Sequence, residues 1–309
     1  MVAPVNAAVA EGWNDTITMN TRSLWTATVI ALALRLHAAP LTESTFTEVI
    51  KDVNLVANDT KSATPAKIND PFKAPDLVRT GPDSRAELTA PDQTITRVGA
   101  NSVFSFELAG RNLRLEQGSV LFHPPAGTGG GTITSGGTTA AVLGTTLIVS
   151  ATANGGFKVI LLEGRGKVTL SGGKSVTLKA GQLVFVQPGG KIMSPVLDIN
   201  LSKLVAGSLL VNGFSHPLSS LPLIQAAIEK QNLQFASGDA VDTGISAGNY
   251  PGAPSFANGL NSIDPGDYQN ASHPPLSPGQ FANISGVRPK SAVVVNGTPG
   301  GRGVTPLGF

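Results

Sequence analysis

From Leu77 to Val186 apolar and polar residues alternate in short runs, and Gly, Asn or Ser interrupts them at intervals of roughly ten residues. The period is two almost throughout. Phe104, Phe106 and Leu108 fall on one side of such a run, with Ser105 and Glu107 on the other. Leu113 and Leu115 alternate with Arg114 and Glu116, and Val176, Leu178 and Ala180 with Thr177 and Lys179. This alternation predicts strands that bury one face and show the other to water. Between Glu116 and Lys158 there is no Asp, Glu, Lys or Arg, and Ala140 to Val149 is dense in Thr, Val, Ile and Leu, which suits strands covered on both faces. Asn154-Gly155-Gly156 and Ser171-Gly172-Gly173-Lys174 have the residues that tight hairpins need, so sequence-adjacent strands should pair.

Outside this region the pattern changes. Leu221 to Gln231 places Leu223, Ile224, Ala227 and Ile228 at helical spacing with Pro222 near the start, which predicts a short amphipathic helix that caps or leans on the β-unit. Residues 41–75 are polar and carry Pro65, Pro71 and Pro75; one or two strands are expected at Phe46 to Val56, then a loop. From Tyr250 to Phe309 about a third of the residues are Gly or Pro and no apolar period persists, a composition that cannot offset its ordering entropy. The expected organisation is a signal peptide at 19–39, N-terminal strands and a linker at 41–75, a β domain at 76–192, a helical extension at 196–235 and a disordered tail at 245–309.

The signal-peptide expectation rests on Arg22, an apolar run from Leu24 to Leu34, and small residues in His37-Ala38-Ala39-Pro40. Glu11 and Asp15 do not suit the positive n-region of such a peptide, so translation is expected to start at Met19 rather than Met1. The run is roughly half of the ~20 residues a membrane-spanning helix requires, and Arg35 interrupts it, so no permanent span is expected in the mature chain. The rival reading makes residues 24–36 a core helix of a cytoplasmic protein.

Composition narrows the field. High Gly (36) and Pro (22) with only 14% charged residues favour turn-rich β-structure, and 41% hydrophobic residues in 309 are enough for a sizeable core. The net charge of +2 is spread along the chain, whereas phosphate backbones are held by a concentrated basic face, so nucleic acid is not an expected partner. The absence of cysteine excludes disulfides, thiolate zinc sites and a Cys nucleophile. Both tryptophans, Trp13 and Trp25, lie in the part expected to be removed, which leaves few aromatic platforms for sugar rings.

Candidate chemistry is thin. Ser171-Gly172-Gly173-Lys174-Ser175 echoes a phosphate loop, but the motif's first glycine would fall on Val168 and the segment joins two strands. Gly127 to Gly131 could cradle an anion through backbone amides, yet no helix pattern follows to add its dipole. His37, His123, His216 and His273 are scattered without a second ligand at metal spacing. Of the acids Asp76, Asp83, Glu87, Asp92, Glu107, Glu116 and Glu163, the pair Glu107 and Glu116 should face solvent, and Glu163 should accept backbone bonds or pair with Arg165. No G-x-S-x-G elbow is present. No catalytic, cofactor-binding or metal-ligating residue is assigned, and no cofactor is expected.

Several local pieces, in order, resemble the FecR domain of bacterial envelope proteins. They are Val78-Arg79-Thr80-Gly81 with Ser84-Arg85-Ala86-Glu87-Leu88, Thr96-Arg97-Val98-Gly99-Ala100-Asn101-Ser102-Val103, and Leu115-Glu116-Gln117-Gly118-Ser119-Val120. Ala140-Ala141-Val142-Leu143-Gly144-Thr145, Leu162-Glu163-Gly164 and Leu178-Lys179-Ala180-Gly181-Gln182 complete the series. The resemblance implies an all-β fold, a short β-solenoid or β-roll of stacked strands; composition alone would equally allow a sandwich or barrel. Gly118, Gly144, Gly164 and Gly181 stand beside apolar runs and are expected to serve architecture. In iron-signalling regulators of similar type a cytoplasmic anti-sigma segment and a membrane helix precede this domain, a layout not matched by the signal-like segment here.

The expected function is that of a non-enzymatic periplasmic or secreted module, binding or scaffolding an envelope protein or polymer, or relaying a signal. The alternative is a polysaccharide lyase or hydrolase, which would need Glu107, Glu116 or Glu163 to converge with a base such as Arg114 in a cleft. Edge strands of an open roll could also pair with a second copy.

Overall fold

The computed structural model describes residues 39–245; nearly all of the expected signal segment and of the expected tail lie outside them. The described part is mostly β, in seventeen strands. The first eight are β1 (Glu43–Ile50), β2 (Val53–Val56), β3 (Ala63–Pro65), β4 (Pro71–Lys73), β5 (Leu77–Thr80), β6 (Arg85–Thr89), β7 (Ile95–Val98) and β8 (Val103–Phe106). The rest are β9 (Asn112–His123), β10 (Gly131–Ser135), β11 (Thr138–Val142), β12 (Leu147–Ala151), β13 (Phe157–Leu161), β14 (Arg165–Thr169), β15 (Ser175–Lys179), β16 (Gln182–Val186) and β17 (Leu197–Asp198). Three helices follow, α1 (Leu201–Gly207), α2 (Leu209–Asn212) and α3 (Leu221–Ala236).

The strands lie in two layers joined through β9. The first layer runs β4-β1-β6-β7-β9-β12-β13-β16-β17. The second runs β3-β2-β5-β8-β9-β10-β11-β14-β15. Neither closes on itself, and only β9–β10 is parallel. Chain-adjacent hairpins such as β12–β13 and β14–β15 are joined by the Asn154-Gly155 and Gly172-Gly173 turns, with Gly155 and Gly173 at positive φ.

Strand β9 belongs to both layers. Leu113 to Gln117 pair with β8, whereas Gly118 to His123 pair with β7 and β12. The register slips by one residue where Val103 faces Gln117 but Phe104 faces Leu115, a bulge at Glu116 that bends the strand. Gly118, at φ +91°, makes the crossing: a Cβ there would stand 2.4 Å from Ser102 Cα, so only glycine fits.

Between the layers lies the main core, with Phe46, Phe72, Phe104, Phe106, Val120, Phe122, Val149, Phe157, Val168 and Val184. Phe72, Phe104 and Phe106 pack at centroid distances of 5.1–5.8 Å, within the range of favourable aromatic contacts. A second apolar cluster covers the outer face of the first layer. There Leu121, Ile148, Ile160 and Leu183 form one cross-strand row, covered by Leu201, Leu204, Leu210 and Ile224 from the helices. This explains why β12 and β13 are buried at every position whereas β11 alternates. The chargeless run is therefore double-covered only in its later part.

Three expectations change. Leu108 does not continue the Phe104/Phe106 face: β8 ends at Phe106 and Leu108 is 70% exposed in the turn. Residues 57–75, read as a loop, contain β3 and β4, because short strands interrupted by proline carry too little alternation to register. Helices α1 and α2 carry no sequence signal of that length; Asn200 caps α1 by accepting from the Lys203 amide at 2.9 Å. The helix expected at Leu221 to Gln231 extends to Ala236, and its Gln231 side chain donates to Ile199 O and accepts from the Leu201 amide, fastening α3 to the end of β17. Among the described residues no helix is long and apolar enough to cross a membrane.

Candidate functional site

On the outer face of the second layer an open groove of about 600 Å³ crosses β9, β10, β11, β14 and β15. Its floor follows one cross-strand row, Asn112, Thr132, Ala141, Lys167 and Thr177, each directly opposite the next. The side chains of Thr132 and Ala141 are short, which is why the face is concave there. Leu143, 79% exposed, and Arg165 also line the groove. The groove is basic: Arg165 and Lys167 are exposed and make no ion pair among the described residues. Arg111 also borders it, but its guanidinium is committed. It lies 2.7 Å from Asp92 and donates to Gly130 O, Ala39 O and Thr94 Oγ1. Arg111 therefore builds the wall, and Arg165 and Lys167 carry the available charge.

Elsewhere the polar clusters have other work. His123, Thr146 and Glu163 form a buried chain behind the first layer. The Thr146 hydroxyl donates to Glu163 Oε1 at 2.9 Å, and His123 Nδ1 lies 3.0 Å from the Thr146 hydroxyl oxygen. A hydroxyl has one proton, so the neutral imidazole presents its Nδ1–H to Thr146. Burial holds the His123 pKa below its ordinary value and pushes that of Glu163 up, the latter opposed by its bonds from Thr146. Glu163 thus accepts from Thr146, and no ion pair to Arg165 forms.

Glu48, Ser215 and His216 bring a carboxylate, a hydroxyl and an imidazole together at the surface. The wiring is not that of an activated serine: Ser215 Oγ donates to Glu48 Oε2 at 2.7 Å and its amide donates to the same carboxylate, so the hydroxyl proton points away from His216. Of the acids an enzyme would need, Glu116 pairs with Arg114 at 3.5 Å on an exposed face, Glu107 reaches Thr134 only at 3.5 Å, and Glu163 is buried apart. They do not share a cleft. Among the described residues no three His, Asp or Glu side chains gather in metal-binding geometry.

A fourth cluster is structural. Arg97 is fully buried on the outer face of β7, with Nε 2.7 Å from Glu87 Oε2. Its remaining donors reach Leu210 O, Val211 O and His216 O, and the guanidinium lies 4.3 Å from the Phe214 ring centroid. One side chain thereby fastens α2 and the segment after it to the sheet.

Residues 76–169 match the family model described as FecR protein. This stretch is a FecR domain. The match spans β5 to β14, the middle of both layers; β1 to β4 extend the FecR domain on one flank and β15 to β17 on the other. Two crystal structures of a candidate anti-sigma factor from Parabacteroides distasonis are similar to the chain. They share 13% and 12% identity at a TM-score of 0.35, over 52% of this chain and 92% or 91% of theirs. No curated protein matches the chain.

The sequence touched the groove only at its margin: Gly129 and Gly131 belong to the glycine run weighed as an anion cradle, and they border the groove beside Thr132. Arg165 is set against Glu163 in the sequence, Leu143 stands in a FecR piece read as architecture, and Lys167 belongs to no motif. The signal was present in the Arg165-Gly166-Lys167 alternation, which puts both cations on the same face of a strand.

Proposed function

We propose that the chain is an exported envelope protein, periplasmic or secreted, whose FecR domain is a binding or signalling module for another protein or an envelope polymer. The observation that supports this most is the open basic groove on a rigid, doubly layered scaffold whose remaining polar clusters are internally satisfied. In this reading the chain has a signal peptide at 19–39, N-terminal strands and a linker at 41–75, the β domain at 76–192, a helical extension at 196–235, and a Gly/Pro/Asn-rich tail at 245–309 that serves as a tether or spacer. Within the β domain the stacked hairpins are read as a short β-solenoid or β-roll, a reading that the open edges of both layers support over a closed barrel. Crosslinking the purified chain to membranes of its source and identifying what it captures tests the proposal. A specific partner is expected, and a chain that crosslinks to nothing would overturn it. The FecR match also favours a signalling role. Deleting the coding region should then alter sigma-factor-dependent transcripts, and an unchanged transcript profile would leave scaffolding alone.

A further inference from the structure

The four edges of the two layers are not equivalent. β3 contains Pro65 and β4 contains Pro71, each lacking an amide donor, and β17 has only two residues. β15 runs for five residues without proline, and among the described residues β14 is its one strand partner. The Leu170 amide donates to Lys174 O, so the hydrogen-bonded pairs of this hairpin fall on Val176 and Leu178. The backbone groups of Ser175 and Thr177 consequently point outward from the sheet. Lys179 does likewise, and its amide donates to the Gln182 side chain at 3.0 Å.

Charge at this edge has one sign. Arg165 lies directly opposite Lys179, and Lys167 opposite Thr177, while Lys174 sits in the turn. None of the four cations belongs to an ion pair among the described residues. Like charges opposite one another on neighbouring strands repel. A second copy paired at β15 would add its own lysines to this set, so self-association at this edge is opposed. An acidic occupant would neutralise it.

We infer that β15 and the adjoining groove take an extended acidic segment of a partner protein. It would add as a strand to β15 and set carboxylates against Arg165, Lys167 and Lys179. The inference rests on the binding-module reading above and narrows the partner to a polypeptide. Strand geometry also dictates its pattern. Side chains of an added strand alternate, so one set lies over the cations of the outer face and the other continues the inner face beside half-buried Val176. Acidic and β-branched residues should therefore alternate.

The test is fluorescence anisotropy with the full chain and a labelled eight-residue peptide of alternating Glu and Val. Three comparison probes are its backbone N-methylated form, the Lys–Val peptide and polygalacturonate. The Glu–Val peptide should bind. Binding should weaken at least about tenfold in the combined variant Arg165→Glu, Lys167→Glu, Lys179→Glu, whose sites are exposed, and by a similar factor in Thr177→Pro, which removes an outward amide. The N-methylated and Lys–Val peptides should not bind. If the Glu–Val peptide fails to bind, the assignment is overturned. If the N-methylated peptide or polygalacturonate binds as well and Thr177→Pro changes nothing, the site is a polyanion surface and not a strand acceptor. A membrane partner still captured by the charge-reversed variant would overturn this edge while leaving the binding-module reading intact.

Discussion

Replacing Arg97 by Met removes a fully buried guanidinium while keeping most of the volume of its stem. Glu87, only 7% exposed, loses its cationic partner and keeps the Thr47 hydroxyl at 2.8 Å; the carbonyls of Leu210, Val211 and His216 lose their donors. Truncating one member of a buried ion pair costs about 3–5 kcal/mol. With a urea dependence of about 2–3 kcal/mol per molar, the midpoint should fall by about 1–2.5 M. A second substitution separates the two parts of this cost. In the variant Arg97→Met with Glu87→Met the orphaned carboxylate is gone, but the three carbonyls still lack donors, and orphaned buried groups cost about 1–3 kcal/mol each unless water reaches them. The double variant should therefore recover only part of the loss and stay about 2 kcal/mol or more below the parent. Urea unfolding followed by far-UV circular dichroism measures both, and proteolysis should cut first between α2 and α3 in either variant. A double variant as stable as the parent, or an Arg97→Met cost under about 1 kcal/mol, would show that Arg97 does not hold the helices to the sheet.

Three further outcomes follow from particular residues. Gly118→Ala forces a side chain into the Ser102 backbone at positive φ, and its cost should reach about 3 kcal/mol or more by urea unfolding; a neutral result would mean that β9 can cross between layers by another route. The His123 site stabilises the neutral imidazole, so its contribution is complete above about pH 6.5 and is lost as pH falls through the lowered folded value. Glu163 has the opposite sign, its contribution being complete below about pH 4.3 and lost as pH rises through the raised folded value. Melting curves from pH 4 to 8 should accordingly lose part of their acid-side slope in His123→Gln and part of their slope at higher pH in Glu163→Gln, and unchanged profiles would refute the assignment. Arg111→Lys cannot reach Gly130, Thr94, Ala39 and Asp92 together, and should cost about 2 kcal/mol in thermal unfolding; a Lys variant as stable as the parent would show that one contact suffices.

Much of the β-structure was legible because its signals are local. A period of two reports which residues of a strand share a face, and glycines at Asn154-Gly155-Gly156 and Gly172-Gly173 mark turns whatever surrounds them. The FecR pieces were legible for the same reason, each being a strand end and its turn. β3 and β4 were missed because three-residue strands bounded by proline contain no full period. The groove as a site was missed because no motif joins its residues. Its concavity comes from short side chains on β10 and β11, and its charge from Arg165 and Lys167 on β14, brought level only by the register.

What the chain's sequence alone determined, then, is the alternation of faces, the positions of the hairpins and the family of the middle segment, since each depends on residues a few positions apart. Only the tertiary structure decided that one layer is covered on both sides, that Arg97 meets carbonyls more than a hundred positions away, and that Arg165 and Lys179 face each other across a hairpin at an open edge. Those relations depend on strand order and on which face the helices cover. Many sequences with the same local period could satisfy either arrangement, and the choice is made by the total apolar surface that each one buries.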